Sequence, residues 1–313
     1  MQIDAVTVTV AVCTFKRVSG LRRCLMSLGA MTRPAGLQIE VLVVDNDCSR
    51  SANVVVATLA KDFPFLLRYF CETRSGVSHA RNHAVAEAHG EWVAFVDDDE
   101  WIEPGWLSAF WAVAQNTSVD AVFGPVIAEF EQPAPAWLLA SGAHQRPRYA
   151  TGTPMRWGDC RSGNVLFRRW LFVAHRGFDP RFAASGGEDC DFFWRCMAGG
   201  ARLVWCDEAL VHEHVPLSRM RRPWLLRRAF NGGRSFARLR AMRRGVASYG
   251  VDAAWGLINV LAYLVPALLA RMVGHVRALA FERKLAGGLG KLVAAFAGAS
   301  GEYGGDGASR VPD

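Results

Sequence analysis

Four consecutive acidic residues, Asp97 to Glu100, follow an apolar run that begins at Trp92. Two carboxylates about 4 Å apart repel by roughly 4 kcal/mol at an effective dielectric near 20, so a positive group or water must offset the cluster. Oxygen ligands suit Mg²⁺, and a metal held by few carboxylates usually also binds substrate phosphates. The run therefore predicts either a site for a divalent cation and a diphosphate or a solvated turn, where Asp is common.

Strand-like and helix-like segments alternate through the first two thirds of the chain. Val-rich apolar runs predict strands, and apolar residues three or four positions apart predict helices. The predicted strands cover 5–13, 38–44, 65–71, 91–96, 119–128, 163–169 and 201–205, and the predicted helices cover 18–31, 50–60, 76–89 and 188–199. This alternation favours an α/β fold with a doubly wound, mostly parallel sheet flanked by helices. The proline-rich stretch 131–158 is predicted to be a loop over the site.

The predicted topology brings two acidic positions to one edge of the sheet. In open α/β sheets, ligands bind beyond the carboxyl ends of the strands. Asp45 ends the second predicted strand, and Asp97 to Asp99 end the fourth. We therefore expect these carboxylates to line one crevice, where a metal ion offsets their repulsion and the diphosphate of a nucleotide offsets the metal.

The basic residues are concentrated in one segment. The net charge is +7, arginine supplies 32 of the 36 basic residues, and ten arginines fall between Arg219 and Arg244. Such a segment suggests an anionic partner, either phosphate, nucleic acid or an anionic membrane surface. The alternative is a general preference for arginine, because lysine is scarce throughout. No stacking or zinc motif accompanies the arginines, so nucleic acid is not a predicted partner.

The cysteines and the N-terminus predict a cytosolic catalytic portion. None of the eight cysteines forms a C-x-x-C pair, and several lie in apolar, strand-like runs. Buried reduced thiols are typical of cytosolic proteins, and this spacing makes a zinc site unlikely. The first ten residues lack a positive region followed by an apolar core, so no signal peptide is predicted.

An uncharged apolar stretch, 253–270, follows the arginine-rich segment. As a helix its 18 residues would span about 27 Å, the lower limit for crossing a bilayer, and Asn259 and Pro266 weaken that interpretation. The stretch is either a buried helical hairpin packed on the catalytic domain or a membrane-associated helix, peripheral or single-span. Flanking arginines would place that side of the membrane in the cytoplasm.

The change in character near Pro216 predicts three regions. Residues 1–216 are expected to form the catalytic domain, and 217–300 a helical extension that is both basic and apolar. Residues 301–313 are expected to be a disordered tail.

Six sequence blocks carry a family resemblance. They are VAVCTFKR at 10–17, VVDND at 43–47, GVSHARNHAV at 76–85, AFVDDDEW at 94–101, GNVLFRR at 163–169 and GGEDCDFFWR at 186–195. In this order and spacing, over roughly residues 5–240, the chain resembles the family 2 glycosyltransferases with the GT-A fold. Within that family it resembles the bacterial exopolysaccharide glucosyltransferases of the succinoglycan-assembly type, in which HEHVP at 212–216 also has a counterpart.

The resemblance implies a role for each matching residue. It assigns nucleotide-sugar binding to Thr14, Arg17, Asp45, Arg81, Asp97 and Asp98. It assigns Mg²⁺ or Mn²⁺ to Asp99, with His212 or His214 completing the metal shell, although the relatives retain the glutamate matching Glu213 more clearly. Asp189 matches the catalytic base, with Glu188 as an acceptor ligand. Trp101 is either an acceptor platform or a core residue.

The implied reaction is an inverting, metal-dependent hexosyl transfer. The donor is expected to be a UDP-sugar, with glucose as the sugar, and the acceptor a lipid-linked oligosaccharide at the cytoplasmic face of the bacterial inner membrane. Two alternatives remain open. A sugar-1-phosphate nucleotidyltransferase normally has a Gly-rich basic loop after the first strand, and CTFKRVSGLRR lacks that glycine density. A catalytically inactive membrane adaptor would not require the acidic blocks.

Overall fold

The computed structural model describes residues 7–115, 118–183 and 186–299. In these residues the strands are β1 (Val8–Thr14), β2 (Ile39–Asp45), β3 (Leu66–Cys71), β4 (Trp92–Val96), β5 (Glu100–Ile102), β6 (Ala121–Phe123), β7 (Val126–Phe130), β8 (Asn164–Arg168), β9 (Leu203–Trp205) and β10 (Val211–Val215). The helices are α1 (Val18–Gly29), α2 (Asn53–Leu59), α3 (Val77–Glu87), α4 (Trp106–Ala114), α5 (Ala136–Ala140), α6 (Trp170–Ala174), α7 (Glu188–Ala198), α8 (Arg222–Arg244), α9 (Ser248–Met272) and α10 (Ala278–Ala299).

Seven strands form one mixed sheet in the order β3-β2-β1-β4-β8-β6-β9. The pairs β2–β3, β1–β2, β1–β4 and β6–β9 are parallel, whereas β8 runs antiparallel to both β4 and β6. A second sheet has the order β5-β10-β7. The predicted doubly wound, mostly parallel α/β fold is confirmed, because helices cover both faces of the main sheet.

Alternate side chains of each central strand enter two separate cores. In β1, Val10 and Val12 pack in the core that holds Leu25 of α1. The residue between them, Ala11, packs in the core on the opposite face, which holds Ala84 of α3. Because successive side chains of a strand point to opposite faces, a strand covered on both sides must be apolar at nearly every position. That requirement explains the continuous apolar runs that predicted these strands.

The structure differs from the sequence prediction between residues 119 and 158. The single predicted strand at 119–128 is divided into β6 and β7 at Gly124 and Pro125. A Cβ atom at Gly124 would lie 2.5 Å from the carbonyl oxygen of Ala209, so the backbones approach too closely there for any other residue. The predicted loop at 131–158 contains the short helix α5, in which Leu138 is buried.

The chain divides into two compact units. The first, here called the catalytic unit, contains the residues up to Ala128 together with Arg146–His214. The second, here called the helical unit, contains Glu129–Gln145 and the residues from Val215 onward. The predicted domain boundary at 216 stays a prediction, and the predicted disordered tail at 301–313 lies outside the described residues.

In the helical unit, α10 packs against both α8 and α9. Glycines allow the close approach, since a Cβ atom at Gly256 of α9 would lie 2.7 Å from the carbonyl oxygen of Gly288 in α10. Small residues at helix contacts are typical of helices that associate in membranes. A buried ion pair of 2.7 Å joins Arg240 in α8 to Asp252 in α9.

Helix α9 leaves a broad apolar face exposed within the helical unit. Its exposed large apolar side chains are Val251, Trp255, Leu257, Ile258, Leu261, Leu264, Val265, Leu268, Leu269 and Met272. Only 17% of its most apolar 18-residue window is buried, and its mean hydropathy is 1.8. Within the described residues, α9 alone is long and apolar enough to cross a membrane.

Candidate active site

The acidic run follows β4 directly, at the edge where β1 and β2 also end. The parallel register places Thr14, the last residue of β1, beside Asp45, the last residue of β2. The hydroxyl of Thr14 donates a hydrogen bond of 2.7 Å to Oδ2 of Asp98. The expectation that these strand ends meet at one edge of the sheet therefore has a direct contact to support it.

Arg17, between β1 and α1, binds two of the acids. Its Nη1 lies 2.9 Å from Oδ1 of Asp98 and 3.1 Å from Oδ2 of Asp99. Burial raises the pKa of Asp98 to about 6, although the charge of Arg17 opposes that rise. A Cβ atom at Gly20 would lie 2.7 Å from the carbonyl oxygen of Asp98, so only glycine lets the first turn of α1 approach the acids this closely.

A second arginine, Arg81 of α3, connects the acidic run to α7. It is 6% exposed, and its Nη2 lies 3.1 Å from Oδ1 of Asp97. Its Nη1 donates to Oε1 of Glu188, the first residue of α7. A buried charge is tolerated when it is paired and hydrogen-bonded, and Arg81 satisfies a carboxylate on either side. The carboxylate repulsion expected from the sequence is thus offset in part by two arginines.

Glu188 is buried and only partly satisfied. Burial raises its pKa to about 7, against the lowering effect of Arg81. Its Oε2 atom has no hydrogen-bond partner among the described residues. An unsatisfied buried carboxylate oxygen is costly, so a ligand hydroxyl that donates to it would relieve that cost.

Asp189 follows at the start of α7 and is partly exposed. Its Oδ1 accepts a hydrogen bond of 2.7 Å from the backbone N–H of Cys190. Gly186 and Gly187, with φ angles of 70° and 97°, form the turn that enters α7, and glycine adopts such angles without strain. Asp189 is thereby next to Glu188, and its charge acts on Arg81, which also binds Asp97.

The carboxylate of Asp45 is buried and bound by its own chain. Its Oδ1 accepts from the N–H of Asp47 at 3.0 Å, and its Oδ2 accepts from the N–H of Ala52 at 2.8 Å and the hydroxyl of Tyr69 at 3.0 Å. These bonds stabilise the turn between β2 and α2. The predicted contact of Asp45 with the uracil or ribose stays a prediction.

Trp101 contacts two basic side chains. Its ring stacks on His212 with centroids 5.4 Å apart, and the guanidinium of Arg23 lies 3.9 Å from the ring centroid. His212 also lies 2.8 Å from Glu103 through Nε2. The two predicted roles of Trp101, acceptor platform and core residue, stay predictions.

Glu213, the acidic residue of β10, is aligned with the acidic run. The β5–β10 register pairs Glu213 with Glu100, and Glu213 accepts a bond of 2.6 Å from Arg146. Glu100 is buried and accepts a bond of 3.0 Å from the N–H of Asp97.

Because neighbouring side chains of a strand point to opposite faces, His212 and His214 share the face of β10 opposite to Glu213. The N–H of His214 donates to the carbonyl oxygen of Asp99 at 3.0 Å. Metal binding by either histidine stays a prediction.

The donor set fits a divalent cation that the substrate helps to hold. In the described part of the chain, no three or more His, Cys, Asp or Glu residues are grouped to hold a metal ion. Asp99 nevertheless presents carboxylate oxygens beside Asp98, and Mg²⁺ is usually bound by one or two carboxylates together with phosphates and water. Asp99 is therefore the residue that would hold Mg²⁺ or Mn²⁺.

Three charged residues near the site were not selected from the sequence. Arg146 and Arg161 come from the segment between β7 and β8, which has little periodicity, so no spacing marked them. Arg161 lies just before the GNVLFRR block, and that proximity was the available signal. Glu100 was recognised as part of the acidic run, but its partner Glu213 becomes evident only from the strand register.

Solved structures with the same fold define the class of protein. The mannosyltransferase PcManGT from Pyrobaculum calidifontis, in complex with GDP-Man and Mn²⁺, has a TM-score of 0.62 at 21% identity, covering 93% of this chain and 88% of that one. S. aureus TarS 1–349 in complex with UDP-GlcNAc has a TM-score of 0.57 at 16% identity, covering 95% of this chain and 93% of that one. The fold is that of the GT-A glycosyltransferases.

Sequence comparison gives the family. The model of "Glycosyl transferase family 2" matches residues 9–172. The succinoglycan biosynthesis protein ExoM of Rhizobium meliloti (strain 1021) is 34% identical over 259 residues, which cover 82% of this chain and 81% of that protein. The chain belongs to glycosyl transferase family 2, as the six sequence blocks had indicated.

Proposed function

We propose that the protein is an inverting, metal-dependent hexosyltransferase that moves glucose from UDP-glucose onto a lipid-linked oligosaccharide. The observation that carries this proposal is the double contact of Arg81. One guanidinium holds Asp97, in the acidic run assigned to the donor, and Glu188, the neighbour of Asp189. A single buried cation thus joins the residues expected to bind the donor to the residues expected to activate the acceptor.

The donor is held at the strand ends by side chains that already carry opposite charges. Thr14, Arg17, Asp97 and Asp98 surround the position proposed for the nucleotide, and Arg17 can exchange a carboxylate for a phosphate oxygen because its side chain is 48% exposed. When bound at Asp99, Mg²⁺ or Mn²⁺ supplies Lewis acidity that stabilises the leaving diphosphate.

Asp189 is proposed to remove the proton from the acceptor hydroxyl. The acceptor oxygen then forms a bond to the anomeric carbon, and the bond from that carbon to the diphosphate oxygen breaks, releasing UDP. General base catalysis of this kind requires a carboxylate within hydrogen-bond reach of the hydroxyl. Because one base promotes a single direct displacement, the configuration at the anomeric carbon is inverted.

The nature of the acceptor is proposed from the relative and from the helical unit. ExoM is a succinoglycan biosynthesis protein, which supports a role for this chain in extracellular polysaccharide biosynthesis. The exposed apolar face of α9 is followed by the exposed Arg271 and preceded by the exposed Arg244. Such a face between basic residues suits the cytoplasmic surface of the bacterial inner membrane, where anionic lipids attract arginine. A lipid-linked acceptor would be presented at that surface.

Transfer can be assayed with radiolabelled UDP-glucose, a membrane fraction as the source of acceptor, and added Mn²⁺. We expect Asp189→Asn to reduce transfer about 10²–10⁴-fold, the usual contribution of a general base. Asp99→Asn should instead weaken the dependence of transfer on Mn²⁺. Asp62→Asn, at an exposed surface carboxylate, is the matched control and should retain wild-type transfer.

The transfer assay, a test for UDP-glucose synthesis and a UDP-binding measurement together separate the alternatives. Full transfer by Asp189→Asn would refute the role of the base. Formation of UDP-glucose from UTP and glucose-1-phosphate would identify a nucleotidyltransferase. Binding of UDP without transfer or hydrolysis of UDP-sugars would favour an inactive adaptor.

A further inference from the structure

A pocket opens in the catalytic unit at the edge of the sheet that carries the acidic run. Phe123 ends β6, Trp205 ends β9 and Asn164 begins β8, and all three line the pocket. Because β8 is antiparallel to both β4 and β6, the pocket lies at the same edge of the sheet as the end of β4. Its empty space is about 530 Å³ when the open mouth is included.

The pocket wall combines aromatic rings with a few polar groups. Tyr149 and Trp205 meet edge to face, with ring centroids 5.5 Å apart. The hydroxyl of Tyr149 donates a bond of 3.0 Å to Oδ2 of Asp159, and Arg146 and Arg161 complete the polar part of the wall. Aromatic faces carry partial negative charge and attract the C–H groups of a sugar ring, while carboxylate and guanidinium groups bind its hydroxyls.

Arg161 connects the pocket with the proposed base. Its Nη1 lies 2.8 Å from Sγ of Cys190 and 2.6 Å from the carbonyl oxygen of Cys160. Cys190 directly follows Asp189, and the charge of Asp189 also acts on Arg161. A guanidinium that lines the pocket is therefore in contact with the residue that directly follows the proposed base.

The charges of the wall favour a neutral ligand. Arg146 is paired with Glu213 at 2.6 Å, and the negative charges of Asp159 and Asp189 act on Arg161. The positive charge of each guanidinium is thus offset by carboxylates, and an anionic sugar would have to compete with them.

We propose that this pocket binds the acceptor sugar that carries the attacking hydroxyl, and that this sugar is a neutral hexopyranose. Tyr149 and Trp205 form the apolar wall of the site, and Asp159 and Arg161 bind the hydroxyl groups. This inference rests on the proposed transferase function and names its acceptor class.

The test uses methyl β-D-glucopyranoside as a neutral probe and methyl β-D-glucuronide as an anionic one. At saturating UDP-glucose, Asp159→Asn should raise KM for the neutral glycoside about tenfold, the loss of roughly one hydrogen bond to a charged group. KM for UDP-glucose should stay within about twofold. Glu91→Gln, at an exposed carboxylate paired with Arg168, is the matched control and should change neither constant.

A second measurement does not depend on turnover. Titration by ligand-observed NMR should show the neutral glycoside binding about tenfold more weakly to Asp159→Asn than to the wild type, while UDP binds both proteins. If the wild type binds the glycoside but transfers no sugar to it, the proposed transferase function is refuted and the pocket assignment is retained. An unchanged KM and an unchanged NMR signal in Asp159→Asn would overturn the pocket assignment, and a preference for the glucuronide would overturn its neutral class.

Discussion

Charged side chains are buried in the catalytic unit, whereas large apolar side chains are exposed in the helical unit. Arg81 and Glu188 are each less than 10% exposed, while Leu261 and Leu268 in α9 are more than half exposed. Both patterns depart from the usual distribution of residues between core and surface. Buried charges require partners, and a contiguous exposed apolar patch marks an interaction surface.

The two regions differ in where the missing partner is found. In the catalytic unit the arginines and carboxylates pair with one another, and a ligand is expected to pair with the polar atoms that remain. In the helical unit, the polar interactions are internal, as between Arg240 and Asp252, and the apolar face is left for an external partner. We therefore expect the catalytic unit to carry out the reaction and the helical unit to bind the surface at which the protein acts.

The largest expected effect comes from removal of the buried guanidinium of Arg81, which tests the contrast between the two units directly. Arg81→Met should lower the free energy of unfolding by about 3–5 kcal/mol, because it leaves Glu188 buried without its ion partner. Urea unfolding measures the change. The double variant Arg81→Met/Glu188→Gln should recover much of the loss, and Arg181→Met, at a 64% exposed side chain, should cost less than about 1 kcal/mol. Equal losses at Arg81 and Arg181 would show that burial does not distinguish them.

The exposed apolar face can be tested with vesicles. Burial of a leucine side chain contributes roughly 1.5–3 kcal/mol, so Leu261→Asn/Leu268→Asn should reduce partitioning onto vesicles more than about tenfold. Flotation with phosphatidylcholine vesicles, with and without phosphatidylglycerol, measures partitioning and its dependence on anionic lipid. Val54→Asn, at an exposed apolar residue of α2, serves as the control. Identical flotation of the wild type, the double variant and the control would refute membrane binding through the apolar face of α9.

The contact between α9 and α10 is expected to tolerate little extra volume. Gly256→Ala would place a methyl group 2.7 Å from the carbonyl oxygen of Gly288, and overpacking of this kind costs about 1–3 kcal/mol. Gly250→Ala, at an exposed glycine with open space around it, should be neutral or stabilising, since alanine favours helix. Thermal unfolding followed by circular dichroism compares the two variants. A greater loss at Gly250 would contradict the packing described for these helices.

The smallest expected effect is a change of slope with pH. Burial raises the pKa of Glu188 from 4.5 to about 7, so the folded protein holds this proton more tightly than the unfolded chain. Its stabilising contribution is fully present below pH 4.5 and is lost as the pH rises through about 7. Without metal or nucleotide, Tm of Glu188→Gln should therefore fall less over this window than Tm of the wild type. Equal slopes in the two proteins would indicate that Glu188 is ionised throughout this window.

Much of the fold could be predicted from the sequence because its strands are covered on both faces. That environment demands continuous apolar runs, and the acids after β4 interrupt such a run abruptly. The pairing of Arg81 with Glu188 could not be predicted in the same way, since the two residues are 107 positions apart and meet only after α3 and α7 pack on one face.

Strand register decided other parts of the site. The sequence pointed to the two histidines of β10 as metal ligands, which stays a prediction, and the register with β5 shows in addition that Glu213 is aligned with Glu100. Likewise, the aromatic wall of the pocket uses Tyr149 and Trp205, which no local pattern connects. Residue type and spacing identified the chemistry at the strand ends, whereas the neighbours across the sheet depended on topology.

The guanidinium of Arg81 is shared, and sharing has a kinetic consequence. A donor that draws Asp97 toward itself leaves the cation to Glu188 alone, which tightens the hold on the carboxylate nearest the base. The arrival of the first substrate would then prepare the place of the second. This arrangement implies ordered addition, in which the nucleotide sugar binds before the acceptor. Initial rates that show random addition would contradict it.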